Sequence, residues 1–238
     1  MSDDDEQLNT TVARALDALD QLDSFEAVSR LVALGDQAQV IQGFNLAVRE
    51  LFSQRKLPQM VWIGRAGVEY ALHEARRLTQ SKGGRERLSA ARKLAYNVSS
   101  NLWPGWGDEA VQPTPSDLQA ALDLARVHRR IAIEEELGPE FVGNARWLVG
   151  AQRLAVGQEQ AAHYEFETAR TAFTEAEKPA SQWMAEGFRS LSLQMMGTMA
   201  TEGQRRFEAA ILELKQLGDE GDFFADQLQT AKRVFLAR

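Results

Sequence analysis

Two stretches in the C-terminal part of the chain echo each other: Phe173 and Ala176 recur as Phe207 and Ala210, each pair shortly before a helix stop. Ahead of each Phe lies a tryptophan segment, Arg146-Trp147-Leu148-Val149-Gly150 and then Gln182-Trp183-Met184-Ala185-Glu186-Gly187. The apparent unit is therefore a tryptophan helix, a turn and an Ala/Phe helix. Self-similarity of this kind marks repeat architectures, because one hairpin cannot bury its apolar face alone and stacking on a neighbour completes the core. Such a building style favours binding over chemistry.

Composition enters where the helices need it. Ala, Leu, Glu, Gln and Arg dominate and proline is scarce at six; these abundant residues lose least on entering a helix. The expected fold is all-α, with helices near 5–22, 24–34, 37–55, 58–79, 85–102, 116–137, 139–156, 159–177, 180–198, 202–217 and 222–237 and no strand. Leu34-Gly35, Leu137-Gly138 and Leu217-Gly218 read as stops, where glycine takes the left-handed conformation that closes a helix. Ser116 with Gln119, and Thr201 with Gln204, fit the capping-box spacing. Pro58, Pro115 and Pro139 suit first turns. In the last helix Phe224, Leu228, Ala231 and Phe235 share one face, suited to capping the open end of a stack.

One segment breaks the helical rhythm: Asn101 to Asp108, with Trp103 and Trp106, continuing through Pro113-Thr114-Pro115. Long connections inside compact domains are functional or linkers. It divides the chain into an N-terminal helical region, 1–112, with a short disordered acidic tail, and a repeat region, 113–238. Two tryptophans in a tether point to rings that pin the loop against the helices, or that meet a ligand or partner.

The region from about 139 to 238 resembles tetratricopeptide-repeat proteins. Trp147 and Gly150 stand on a first helix, Ala169, Phe173, Ala176 and Pro179 on and after its second. Trp183 and Gly187, then Phe207 and Ala210, repeat the scheme, with Gly218 taking the stop in place of proline. Trp62, Gly64, Gly67, Tyr70 and Ala71, with Ala91 and Ala95, are faintly similar in the N-terminal half. The resemblance implies stacked antiparallel helical hairpins whose first helices line a groove for a protein or peptide segment. Asn144, Arg146, Gln152, Arg153, Gln182, Arg189 and Gln194 are polar residues on those helices. An arginine there can hold a carboxylate bidentately, so Arg146, Arg153 and Arg189, with Trp103 and Trp106, are the candidate partner-binding residues.

Charge and chemistry narrow the alternatives. A formal charge of -7 repels phosphate polymers and anionic membranes at long range. The basic stretch Arg76, Arg77, Lys82, Arg85, Arg87, Arg92 and Lys93 runs against that trend, so a nucleic-acid-associated regulator acting through residues 76–93 stays an alternative. Without cysteine there is no disulfide framework, thiolate site or Cys nucleophile. The start Met1-Ser2-Asp3-Asp4-Asp5-Glu6 is the opposite of a basic leader, and the expected location is cytoplasmic, away from membranes. His73, His128 and His163, and the acidic Glu134-Glu135-Glu136 with Glu140, are the raw material for a second alternative, a helical metal-dependent hydrolase. His-x-x-x-His and Glu-x-x-His spacings are missing, as is a phosphate-cradling glycine loop. The sequence therefore predicts a non-enzymatic protein-interaction module with no metal or cofactor, and leaves self-association open.

Overall fold

The computed structural model describes residues 3–21, 23–78, 81–197 and 199–237. Among these the fold is all-α, with no strand, and no helix is long and apolar enough to cross a membrane. Three expected helix ends, at Leu22, Thr79 and Thr198, lie outside the described residues. The chain divides into two compact units, Met1–Asn101 and Leu102–Arg238.

The first unit holds α1 (Asp3–Asp20), α2 (Ser24–Val32), α3 (Gln37–Ser53), α4 (Leu57–Arg77) and α5 (Lys82–Asn101). Of the expected acidic tail, Met1 and Ser2 lie outside the described residues, and Asp3 to Glu6 form the first turn of α1. Asp23 caps α2 by accepting from Glu26 N–H at 2.9 Å, and Asp36 caps α3 by accepting from Ala38 and Gln39. Helices α4 and α5 meet over small residues: a Cβ on Gly67 would fall 2.7 Å from Leu94 and 2.8 Å from the Phe44 ring. Only glycine allows three helices to approach so closely at that point.

The second unit begins with a 3-10 turn, Pro104–Trp106, followed by α6 (Pro115–Glu134), α7 (Pro139–Ala155), α8 (Glu159–Glu175), α9 (Pro179–Met195), α10 (Ala200–Leu214) and α11 (Asp219–Leu236). Helices consecutive in sequence pack as neighbours, α6 on α7, α7 on α8, α8 on α9 and α9 on α10. The α7/α8 contact is a matched set: a Cβ on Gly143 would lie 2.7 Å from the Phe173 ring, and one on Gly150 would lie 2.7 Å from the Phe166 ring. Both rings are fully buried. Helix α11 folds back on α9 as well as α10, and its Leu228, Ala231 and Phe235 are buried, with Leu228 seated over Gly187.

Several punctuation marks differ from the expected ones. Helix α6 is opened by a capping box of Thr114 and Asp117, two residues upstream of Ser116 and Gln119. Pro115 explains the shift: it takes the first helical position, where its missing N–H is not needed, so the cap must precede it. Helix α10 starts at Ala200 without a side-chain cap, so Thr201 lies inside its first turn. Gly35 and Gly218 have positive φ, 79° and 70°, whereas Gly138 does not; Glu136, at φ 50°, makes that turn.

Candidate functional site

The tryptophan loop resolves into one buried and one half-exposed ring. Trp103 is 1% exposed, and its Nε1–H donates to the Ala151 carbonyl at 3.0 Å, so both the ring and its polar handle are satisfied inside the second unit. It makes edge contacts with Trp147 at 5.5 Å and Phe188 at 5.6 Å, and Gly105 leaves room for its face. Trp106 stands edge-on to Trp103 at 4.8 Å and keeps 39% of its surface exposed. Of the two, Trp106 is within reach of a partner, and Trp103 holds the loop to α7.

The candidate arginines separate into two clusters on either side of α8. Arg146 and Arg153, seven residues apart on α7, converge on Glu165 of α8. Arg146 Nη1–H donates to Glu165 Oε2 at 3.0 Å, and Arg153 Nη2 stands 3.8 Å from Oε1. Arg129 of α6 donates to the same Oε1. Glu165 is buried at 3% exposure, and each arginine side chain keeps between a fifth and a quarter of its surface. Three cations thus share one carboxylate. Burial lowers the Arg153 pKa; Glu165 opposes that effect, and nearby Arg126 and Arg129 reinforce it.

Arg189 of α9 belongs to the other cluster. It donates to both oxygens of Glu186 at 2.9 Å and lies 3.1 Å from Glu167, which also accepts from Arg170 at 2.9 Å. Two arginines here meet two glutamates. Burial disfavours the Arg189 charge, but the hydrogen bonds and charge of Glu186, with Glu167 beside it, outweigh burial and raise its pKa. The Arg170 hydrogen bond, partly offset by burial, holds the Glu167 carboxyl below the usual range.

His163 Nδ1 sits 3.3 Å from both the Arg189 carbonyl and Ser192 Oγ. Ser192 is fully buried and donates to the Arg189 carbonyl at 2.6 Å, which ties up its proton within α9. His128 is buried on α6. Among the described residues no group of three or more His, Cys, Asp or Glu side chains is placed to hold a metal ion. Glu134 pairs with Arg130 and Glu140 with Lys178. In the basic stretch, Arg77 donates to the buried Glu74 at 2.9 Å, and Arg87 reaches Gln37 at 3.3 Å, which in turn donates to Glu74. Part of that stretch thus secures α3, α4 and α5 to one another.

No family model and no curated protein matches this chain.

Sequence reasoning singled out Arg146, Arg153 and Arg189 but missed Glu165 and Arg129, the residues that separate the clusters. A signal existed. Glu165 falls on the stripe formed by Ala162, Phe166, Ala169 and Phe173, all fully buried. A carboxylate at an apolar position of a helix demands buried cations, since an unpaired charge there is too costly to keep ionised.

Proposed function

We propose that the chain is a non-enzymatic helical-repeat module of tetratricopeptide-like stacked hairpins, capped by α11, that binds a protein or peptide partner through its second unit. The observation that carries this reading is the pairwise order of that unit. Each helix from α6 to α10 packs on the next, and small residues on one meet large side chains of its neighbour, as Gly143 and Gly150 meet Phe173 and Phe166. Repeated pairwise packing gives a scaffold whose contacts run between neighbours and which presents side chains along its length to a partner. The accessible candidates are Trp106 and the α7 arginines, Arg146 and Arg153. Arg189 is held by Glu186 and Glu167 and serves the scaffold; Trp103 does the same from the core. The serine–histidine contact of Ser192 with His163 offers chemistry little foothold, because Ser192 is fully buried and donates its proton to the Arg189 carbonyl.

Immobilised protein exposed to lysate of its source, with Arg153→Glu as control, tests the reading. Expected is a specific protein retained by the native chain and lost with the variant, both having the same far-ultraviolet helicity. Equal retention by Arg153→Glu removes this surface from the account, and retention of nothing by either removes the interaction reading itself.

A further inference from the structure

The cluster on the α6–α7 side of Glu165 carries three guanidiniums against one carboxylate, an excess of two positive charges, in a chain whose net charge is -7. Each of the three arginine side chains is more than three-quarters buried, so water compensates their charge only in part. The neighbouring Arg126 brings its own counter-ion, Asp123, at 3.1 Å, and so does not relieve the excess. Arg146 and Arg153 each also keep a buried Nε–H with no acceptor. On the opposite side of α8, the same side-chain types occur in equal numbers and leave no such excess.

We propose that Arg129, Arg146 and Arg153 form a binding site for a phosphoryl dianion, carried either by a free phosphate monoester or by a phosphorylated side chain. A phosphoryl group near neutral pH bears close to two negative charges and three acceptor oxygens, and matches both the excess and the donor forks of convergent arginines. A single carboxylate would neutralise half of the excess. Glu165 has a double part: it gathers the three cations, and it repels the incoming anion. Burial is the main cause that depresses the Arg153 pKa, and Arg126 and Arg129 add to it against the opposing Glu165. The site goes beyond the interaction-module reading and does not depend on a protein partner.

The test is a ligand titration of the full chain, read as thermal midpoint and by calorimetry, with inorganic phosphate against acetate and chloride at matched ionic strength. Expected is a saturable stabilisation by phosphate alone, weakening as pH falls through the second pKa of phosphate and the dianion is lost. Arg153→Gln should weaken it by about tenfold or more, the effect of one charged hydrogen bond, and Arg153→Lys should restore part of it. Glu165→Gln should bind phosphate more tightly even though the variant is less stable, a sign that a purely structural ion cluster does not produce. Phosphate acting no better than acetate, or equally on the native chain and Arg153→Gln, overturns the proposal, and the second comparison needs no Glu165 variant to fold. Glycerol phosphate and a phosphoserine peptide then separate the sources: the ester binding as well as the peptide assigns a small ligand, and the peptide binding more tightly assigns a modified partner. Phosphate binding with no retained protein keeps this site and removes the interaction reading; retention without phosphate binding does the reverse.

Discussion

The two ion clusters flanking α8 are built from the same side-chain types and differ in their charge count. Around Arg189, two arginines meet two glutamates and every cation has a carboxylate within 3.1 Å. Around Arg153, three arginines divide one glutamate, and Arg153 itself stands 3.8 Å from it. The consequence is visible in opposite shifts, the Arg189 pKa raised and the Arg153 pKa lowered, although burial opposes the charge in both. Partial burial alone therefore does not mark an arginine as structural or as available. What marks it is the number of carboxylates its neighbours leave over, a quantity that involves three helices at once.

That contrast can be broken by substitution. The largest effect is expected for Glu165→Gln, which strands three cations and should destabilise the fold by about 3 kcal/mol in chemical denaturation. A loss below 1 kcal/mol would mean that solvent already screens the cluster. Next comes Arg189→Gln, which deprives Glu186 of its bidentate partner and should cost about 2 kcal/mol. A smaller effect is expected from pH. Burial is the main cause lowering the His163 pKa below 6.5, against the opposing hydrogen bond to the Arg189 carbonyl. Near pH 6 the unfolded chain therefore binds more protons than the folded one, so the contribution of His163 is present above 6.5 and is lost as pH falls through the folded pKa. His163→Gln should flatten stability over that window, and an unchanged profile would place the titration elsewhere. The smallest effect sharpens the comparison most: Arg153→Gln, the same exchange as at Arg189, should stay within about 0.5 kcal/mol of the native chain, because it removes a cation from the side that has too many.

How far the sequence foretold this can be seen residue by residue. The helical order was legible because apolar spacing and abundant helix formers are local properties, and Gly35, Pro115 and Gly218 each mark a boundary by their own backbone chemistry. Offsets arose where two local signals competed, as when Pro115 moved the capping box from Ser116 to Thr114. The α7 arginines were legible as polar residues on a helix, but their environment was not. It depends on Glu165 and Arg129, contributed by two other helices, and a spacing rule along one helix cannot see across to them. The tryptophans divide in the same way: the loop announced itself, but only the burial that tertiary packing imposes distinguishes Trp103 from Trp106.

The glycine–phenylalanine contacts between α7 and α8 act as a vernier. Gly143 and Gly150 have the same spacing as Phe166 and Phe173, and the pairs run in opposite directions, so one sliding position alone satisfies both. Arg146 and Arg153 each follow one of those glycines by three residues, and Glu165 directly precedes one of the rings. A slip of one helical turn, about 5.4 Å, would shift both arginines along the axis relative to the carboxylate and break the shared geometry. The alignment that seats two aromatic rings thereby also sets the charge geometry, and a larger residue at Gly150 would detune the electrostatics of a site it never touches.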